Sequence, residues 1–211
     1  MDSFWQAAAP GLQTAFTLWG SPVTWIEVLA CLLSVWMVFC NMRVDPLGWP
    51  LAILSSALYG LLFLRFRLYG EASLQLLFIA LAGWGWWQWL RGSGGTGQAL
   101  QVHRLSRSQL GLVLLGTLAA WPLLGALLAS LTDSDVPYFD ALPTVGSIAG
   151  QFLLGRKLIE NWPVWIAVNL VSVALFSAKG LWLTVLLYGI FAGLAVAGWK
   201  AWSGLEGRVR A

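Results

Sequence analysis

Apolar positions gather in seven long runs, roughly 23–41, 48–64, 71–90, 109–131, 139–158, 162–178 and 182–202. Most of the charged residues fall between these runs or near their ends. Most runs approach the ~20 residues that carry a helix across ~30 Å of hydrocarbon. In lipid every backbone N–H and C=O must be paired within the segment or its closed sheet. Barrel strands would be shorter and would alternate polar with apolar. The runs are therefore read as seven transmembrane helices, of which the second and sixth are short. The first 22 residues lack a basic start and a compact apolar stretch, and Pro10 and Gly11 interrupt them, which excludes a signal peptide. They read as either an interfacial helix or a disordered segment. An extra crossing here would move the N-terminus inside and leave the rest in place.

The polar stretch RGSGGTGQALQVHRLSRS at 91–108 is the longest connection, and its Gly/Ser half has the composition of a flexible linker. It divides a first unit, 23–90, from a helix at 109–131 in which Pro122 is expected to introduce a kink. A second unit follows at 132–202, then a tail at 203–211. The two units resemble each other. Trp49-Pro50 lies 113 residues before Trp162-Pro163, and Phe63 then falls on Phe176. Shortening the next loop by three residues puts Leu76, Leu77 and Phe78 on Leu186, Leu187 and Tyr188, and Trp89 on Trp199. Three helices, one linking helix and three helices (3+1+3) make a parallel repeat, because an odd linker gives both units the same orientation. Transporters built from such repeats hold substrate near the bilayer midplane between repeats.

Composition supports the membrane reading. The chain is 59% hydrophobic and only 10% charged, less than half the usual charged fraction of a soluble domain, and its mean hydropathy is +0.75. Many of the 15 tryptophans sit near the ends of apolar runs, where indoles suit the headgroup level. With the N-terminus outside, nine basic residues would lie on the cytoplasmic side and three outside, so the positive-inside rule favours N-out, C-in. Cys31 and Cys40 share one apolar run and read as free buried thiols. A single histidine, His103, assembles no metal cluster, and no cofactor is called for. Glu27 and Asp140 are the acidic groups weighed near or within helices, and no pair stands at catalytic spacing, which argues against an enzyme.

Polar groups inside the membrane are costly unless they face protein, water or ligand. The candidates are Tyr59 with Ser55 and Ser56, Gln75, Thr144 with Ser147 and Gln151, Asn169, and Tyr188. Serines and threonines often bond back to their own helix, and amides glue helices together. The most specific cluster is in NWPVWIAVN, 161–169: Trp162, Trp165 and Asn169 lie close to one helix face. The matching places in the first unit are Ala52 for Trp165 and Ser56 for Asn169. The Trp-Pro pair is thus a shared helix start, and Trp165 and Asn169 are what the second unit adds. An indole beside an amide suits a flat ligand with a cationic ring and a carboxamide.

These residues carry a resemblance. The stretch from DALPTVGSIAGQFLLGRKLIENWPVWIAVN onward resembles the C-terminal half of the PnuC family of vitamin transporters, with its W-x-x-W-x-x-x-N at Trp162, Trp165 and Asn169. LYGEASLQLLFIALAGWGWWQW is similar to that family's third core helix, with Gln75 and Trp84 in matching places. The resemblance implies a fold related to the SWEET sugar transporters and a homotrimer in the bacterial inner membrane. It implies facilitated diffusion of nicotinamide riboside, with thiamine or another aromatic vitamin as the alternative substrate. It further implies a site at Trp162, Trp165, Asn169, Gln151 and Gln75, with Tyr59 and Tyr188 beside them. Trp162 enters mainly through the resemblance. Pro163 between the tryptophans, Asn169 where an aspartate is often expected, and no tyrosine near Lys179 depart from the family pattern.

Overall fold

In a computed structural model, the structure describes residues 10–18, 20–65, 69–92, 100–132, 136–178 and 182–210. An antiparallel hairpin, β1 (Thr14–Leu18) and β2 (Ser21–Thr24), precedes seven helices: α1 (Trp25–Met42), α2 (Gly48–Arg65), α3 (Tyr69–Arg91), α4 (Arg107–Leu131), α5 (Pro137–Gly155), α6 (Asn161–Ala178) and α7 (Trp182–Arg210). Each apolar run has become one helix. By length and composition five of them, α1, α2, α4, α6 and Val185–Glu206 of α7, are long and apolar enough to cross a membrane. The chain divides into two compact units, Met1–Trp86 and Trp87–Ala211.

Three local expectations change. Residues 14–24 form the hairpin, not an interfacial helix or a disordered segment. Thr14, Thr17, Val23 and Thr24 favour extended backbone, and Gly20 at φ +82° supplies the reversal. Residues 1–9 lie outside the described residues. The start of α4 is set by Ser106: its hydroxyl accepts from Gln109 N–H (3.3 Å) while the Gln109 side chain accepts from Ser106 N–H (3.0 Å), a reciprocal cap. Helix α7 continues to Arg210, through residues expected to belong to a tail at 203–211. Trp202 and Glu206 are buried near its end.

In the first unit α1 and α2 pack through Leu33, Cys40 and Leu51, with Met37 and Leu58 against them. Ser55 belongs to this packing: its hydroxyl bonds Ser34 Oγ (2.7 Å) and Ala30 O (3.0 Å), so it glues helices. Trp49 of α2 lies over Gly85 of α3, where a methyl group would overlap the indole. In the second unit α6 packs between α5 and α7. Trp162 of α6 lies over Gly198 of α7 in the same way.

The repeat is in step at a constant spacing of 113 residues, without the three-residue shortening. Gly85 and Gly198 stand 113 apart, as do Trp89 and Trp202, and both tryptophans are buried while Trp199 is 42% exposed. Trp202, not Trp199, is therefore the counterpart of Trp89. The turns into α2 and α6 match residue for residue. Arg43 and Arg156 cap the preceding helices, and Val44 (φ 58°) and Lys157 (φ 54°) follow in the left-handed region. Asp45 N–H then donates to Cys40 O (2.9 Å) and Leu158 N–H to Leu153 O (3.0 Å). A β-branched residue at positive φ is strained. Val44→Gly is expected to stabilise the protein by about 1 kcal/mol, the relief exceeding the cost of a more flexible unfolded chain. Thermal denaturation in detergent checks this, and a fall in melting temperature would contradict it.

The second half of the 91–108 connection is tied down rather than loose. His103 pairs with the α5–α6 turn as a short parallel bridge: its N–H donates to Lys157 O (3.1 Å), and Ile159 N–H donates to His103 O (3.0 Å). Lys157 Nζ donates to Leu100 O (2.9 Å) and stands 4.9 Å over the Trp89 ring. Its burial holds that ammonium below the usual lysine range. Arg104 pairs with Glu206 (2.5 Å), and Leu105 N–H donates to Glu160 Oε2 (3.2 Å). The Gly/Ser half, 93–99, lies outside the described residues.

Candidate binding site in the second unit

The start of α6 is set by its sequence. Asn161 is fully buried and its amide donates back to Leu158 O (2.5 Å), and Pro163 occupies the first turn, where an N–H would go unpaired. From there Trp162, Trp165 and Asn169 fall within one sector of about 60°. The two rings turn to different neighbours. Trp162, 3% exposed, meets Trp202 of α7 edge-to-face at 5.6 Å between centroids. Trp202 in turn meets Trp89 at 6.2 Å, and Trp89 Nε1–H donates to Leu154 O (3.0 Å). This indole cluster is packing. Trp162 keeps one free group: its Nε1–H is buried and has no acceptor among the described residues.

Trp165 turns to α5. A methyl placed on Gly150 would come within 3.0 Å of its Cε2 and 3.2 Å of its Nε1, so the indole rests on bare backbone. One turn earlier a methyl on Gly146 would come within 2.5 Å of Val168 Cγ2. Gly146 and Gly150, four apart, let α5 and α6 approach closely. In the first unit the places of Gly150 and Trp165 hold Met37 and Ala52, the large and small partners exchanged.

Gln151 and Asn169 flank this close approach, each the neighbour in sequence of a residue that makes it. They are 8% and 5% exposed, and neither side-chain amide makes a hydrogen bond among the described residues. An amide that makes no bond within the fold keeps a donor and an acceptor for a ligand. These two amides and the half-buried Trp165 indole, all at the α5–α6 contact, are groups that a ligand with donors and acceptors would complete. Ser147, also buried, lies one turn from Gln151. Thr144 does not join them, because its hydroxyl donates back to Asp140 O (3.1 Å).

The remaining candidates stand elsewhere. Tyr188 is stacked on Phe176 at 5.3 Å, within the second unit. Tyr59 is stacked on Phe63 at 6.1 Å, and Gln75 is half-buried opposite Gly60, both within the first unit. The sequence reading passed over Asn161, Gly146 and Gly150. The two glycines carried a signal, a small residue at every fourth position in GSIAG, beside the polar face that had been singled out.

Apolar helices, five of them long and apolar enough to cross a membrane, with polar side chains buried among them, define a polytopic membrane protein. A family model described as nicotinamide mononucleotide transporter matches residues 24–204, and the chain belongs to that family. It is a membrane transporter rather than an enzyme. Among curated relatives it is 23% identical over 207 residues to the nicotinamide riboside transporter PnuC of Escherichia coli, covering 87% of each chain. It is 28% identical over 198 residues to the riboflavin/roseoflavin transporter RibM of Streptomyces davaonensis, covering 89% of each. The fold matches a crystal structure of the vitamin B3 transporter PnuC with a TM-score of 0.71, at 23% identity over 87% of this chain and 83% of that one.

Proposed function

We propose that the protein takes up nicotinamide riboside by facilitated diffusion, as a uniporter in the bacterial inner membrane, N-out and C-in, with two parallel three-helix units about a linking helix. The observation that carries this reading is the Trp165 indole seated on Gly150 at a close α5–α6 approach, whose sequence neighbours Gln151 and Asn169 are unbonded amides. The riboside offers a cationic ring to stack on indole and a carboxamide to exchange hydrogen bonds with an amide. Trp162 contributes its buried N–H, which a ligand hydroxyl would satisfy. Gln75, Tyr59 and Tyr188 carry over from the family resemblance, as does a homotrimer. The PnuC relatives, named as riboside transporters, support this substrate.

RibM supports a second reading, a flat vitamin such as riboflavin, and stacking by itself does not separate riboside, thiamine and riboflavin. Calorimetric titration of the purified protein with the three compounds decides between them. The riboside is expected to bind at least tenfold more tightly than the other two, and a preference for riboflavin or thiamine overturns the assignment. Riboside uptake into proteoliposomes is expected to saturate and to be unchanged by an imposed pH gradient. Uptake that follows the gradient would make the protein a proton-coupled carrier instead.

A further inference from the structure

A cleft of about 280 Å³ opens in the second unit between the start of α4 and the end of α5, beneath the segment that carries His103. Its lining is sorted along the helix axes. His103, Gln109 and Arg156 stand where the helices end, and Leu112, Val113 and Phe152 stand about one turn further in. Arg156 has no acidic partner among the described residues, whereas nearby Arg104 is paired with Glu206. His103 Nδ1 donates to Gln101 O (2.9 Å), since a carbonyl can only accept. The apolar part is open outward, with Leu112 70% and Phe152 48% exposed, and α4 buries only Gly125.

We propose that this cleft binds an anionic phospholipid, its phosphate on Arg156 and Gln109 and an acyl chain along Leu112, Val113 and Phe152. The argument is charge complementarity at a fixed depth. An unpaired guanidinium binds a phosphodiester with two hydrogen bonds in its plane. It stands at the level where the apolar run begins, so a phosphate held there places its chains against the exposed leucine and phenylalanine. The space holds a headgroup and not a whole lipid, which leaves the chains in the bilayer. On the positive-inside reading the lipid belongs to the cytoplasmic leaflet, which carries anionic lipid. The cleft is built from α4, α5 and their connections, so this inference does not depend on the vitamin transported.

Native mass spectrometry of the full-length protein released from mixed phosphatidylcholine and phosphatidylglycerol nanodiscs tests it. The wild type is expected to retain phosphatidylglycerol in preference to phosphatidylcholine. Arg156→Gln, which removes the charge, is expected to lower the retained fraction roughly tenfold. Leu112→Trp, which fills the apolar end at an exposed position, is expected to lower it too. Leu123→Trp, equally exposed but outside the cleft, is expected to leave it unchanged. Millimolar inorganic phosphate is expected not to displace the lipid. Retention unaffected by both cleft variants overturns the proposal, as does displacement by phosphate alone. A disulfide crosslink between two copies through Leu112→Cys, formed in the lipid-loaded protein, would also overturn it, by showing a second chain in the cleft.

Discussion

Asn169→Leu is expected to weaken riboside binding by roughly ten- to a hundredfold while leaving the thermal stability of the ligand-free protein unchanged or slightly raised. Both halves follow from one fact: the Asn169 amide is 5% exposed and makes no hydrogen bond among the described residues. Replacing that amide by an apolar group of similar shape breaks no hydrogen bond within the fold, so folding does not suffer. The ligand, by contrast, loses a partner and buries its own carboxamide unpaired, a loss of about 1–3 kcal/mol. An asparagine that merely glued helices would give the opposite pair of results, with stability down and affinity intact. Titration and a melting curve on the same preparation separate the two. Trp165→Leu should lower affinity too, through lost stacking of about 0.5–1.5 kcal/mol.

Gly198→Ala is expected to destabilise the protein by about 1–3 kcal/mol, because the added methyl overlaps the Trp162 ring, which Trp202 holds from another side. Gly193→Ala, one turn away with open space around it, is the control and should melt within a degree or two of the wild type. Trp162→Leu in the Gly198→Ala background should recover most of the loss, since the two groups compete for one volume and their effects are not additive. Equal melting temperatures for Gly198→Ala and Gly193→Ala would show that α6 and α7 do not meet at this indole. Gly85→Ala against Trp49 is the same experiment in the first unit, where the repeat predicts the same result.

Much of the fold was legible because lipid leaves the backbone one choice. Once the runs were long and apolar, each had to be a helix, and most boundaries fall close to where polar residues resume, the end of α7 excepted. The serine cap of α4, Ser106 and Gln109 three apart, was passed over in the sequence reading, which began that helix at 109. The hairpin at 14–24 was missed, since the segment was read as an interfacial helix or as disordered, and its β-branched residues Thr14, Thr17, Val23 and Thr24 were not weighed. The tie between the 100–106 segment and the α5–α6 turn was missed too, because it rests on backbone groups, Lys157 O and His103 O, that every sequence possesses. The register of the repeat went wrong for a related reason. Leucine and alanine matches fit several alignments, whereas the pairing of an indole with a bare glycine fits one, and that pairing is visible only across two helices.

The sequence by itself determined that this chain lies in a membrane, that it crosses as helices, and that NWPVWIAVN holds polar and aromatic groups where they are costly. Periodicity confined Trp162, Trp165 and Asn169 to one sector of α6. Only the tertiary structure decided what each does there. Trp162 closes against Gly198 and Trp202, Trp165 lies on Gly150, and Asn169 is left buried with no partner among the described residues. The reason is that helical spacing fixes direction alone, whereas burial and partners depend on which helix stands opposite and how small its residues are.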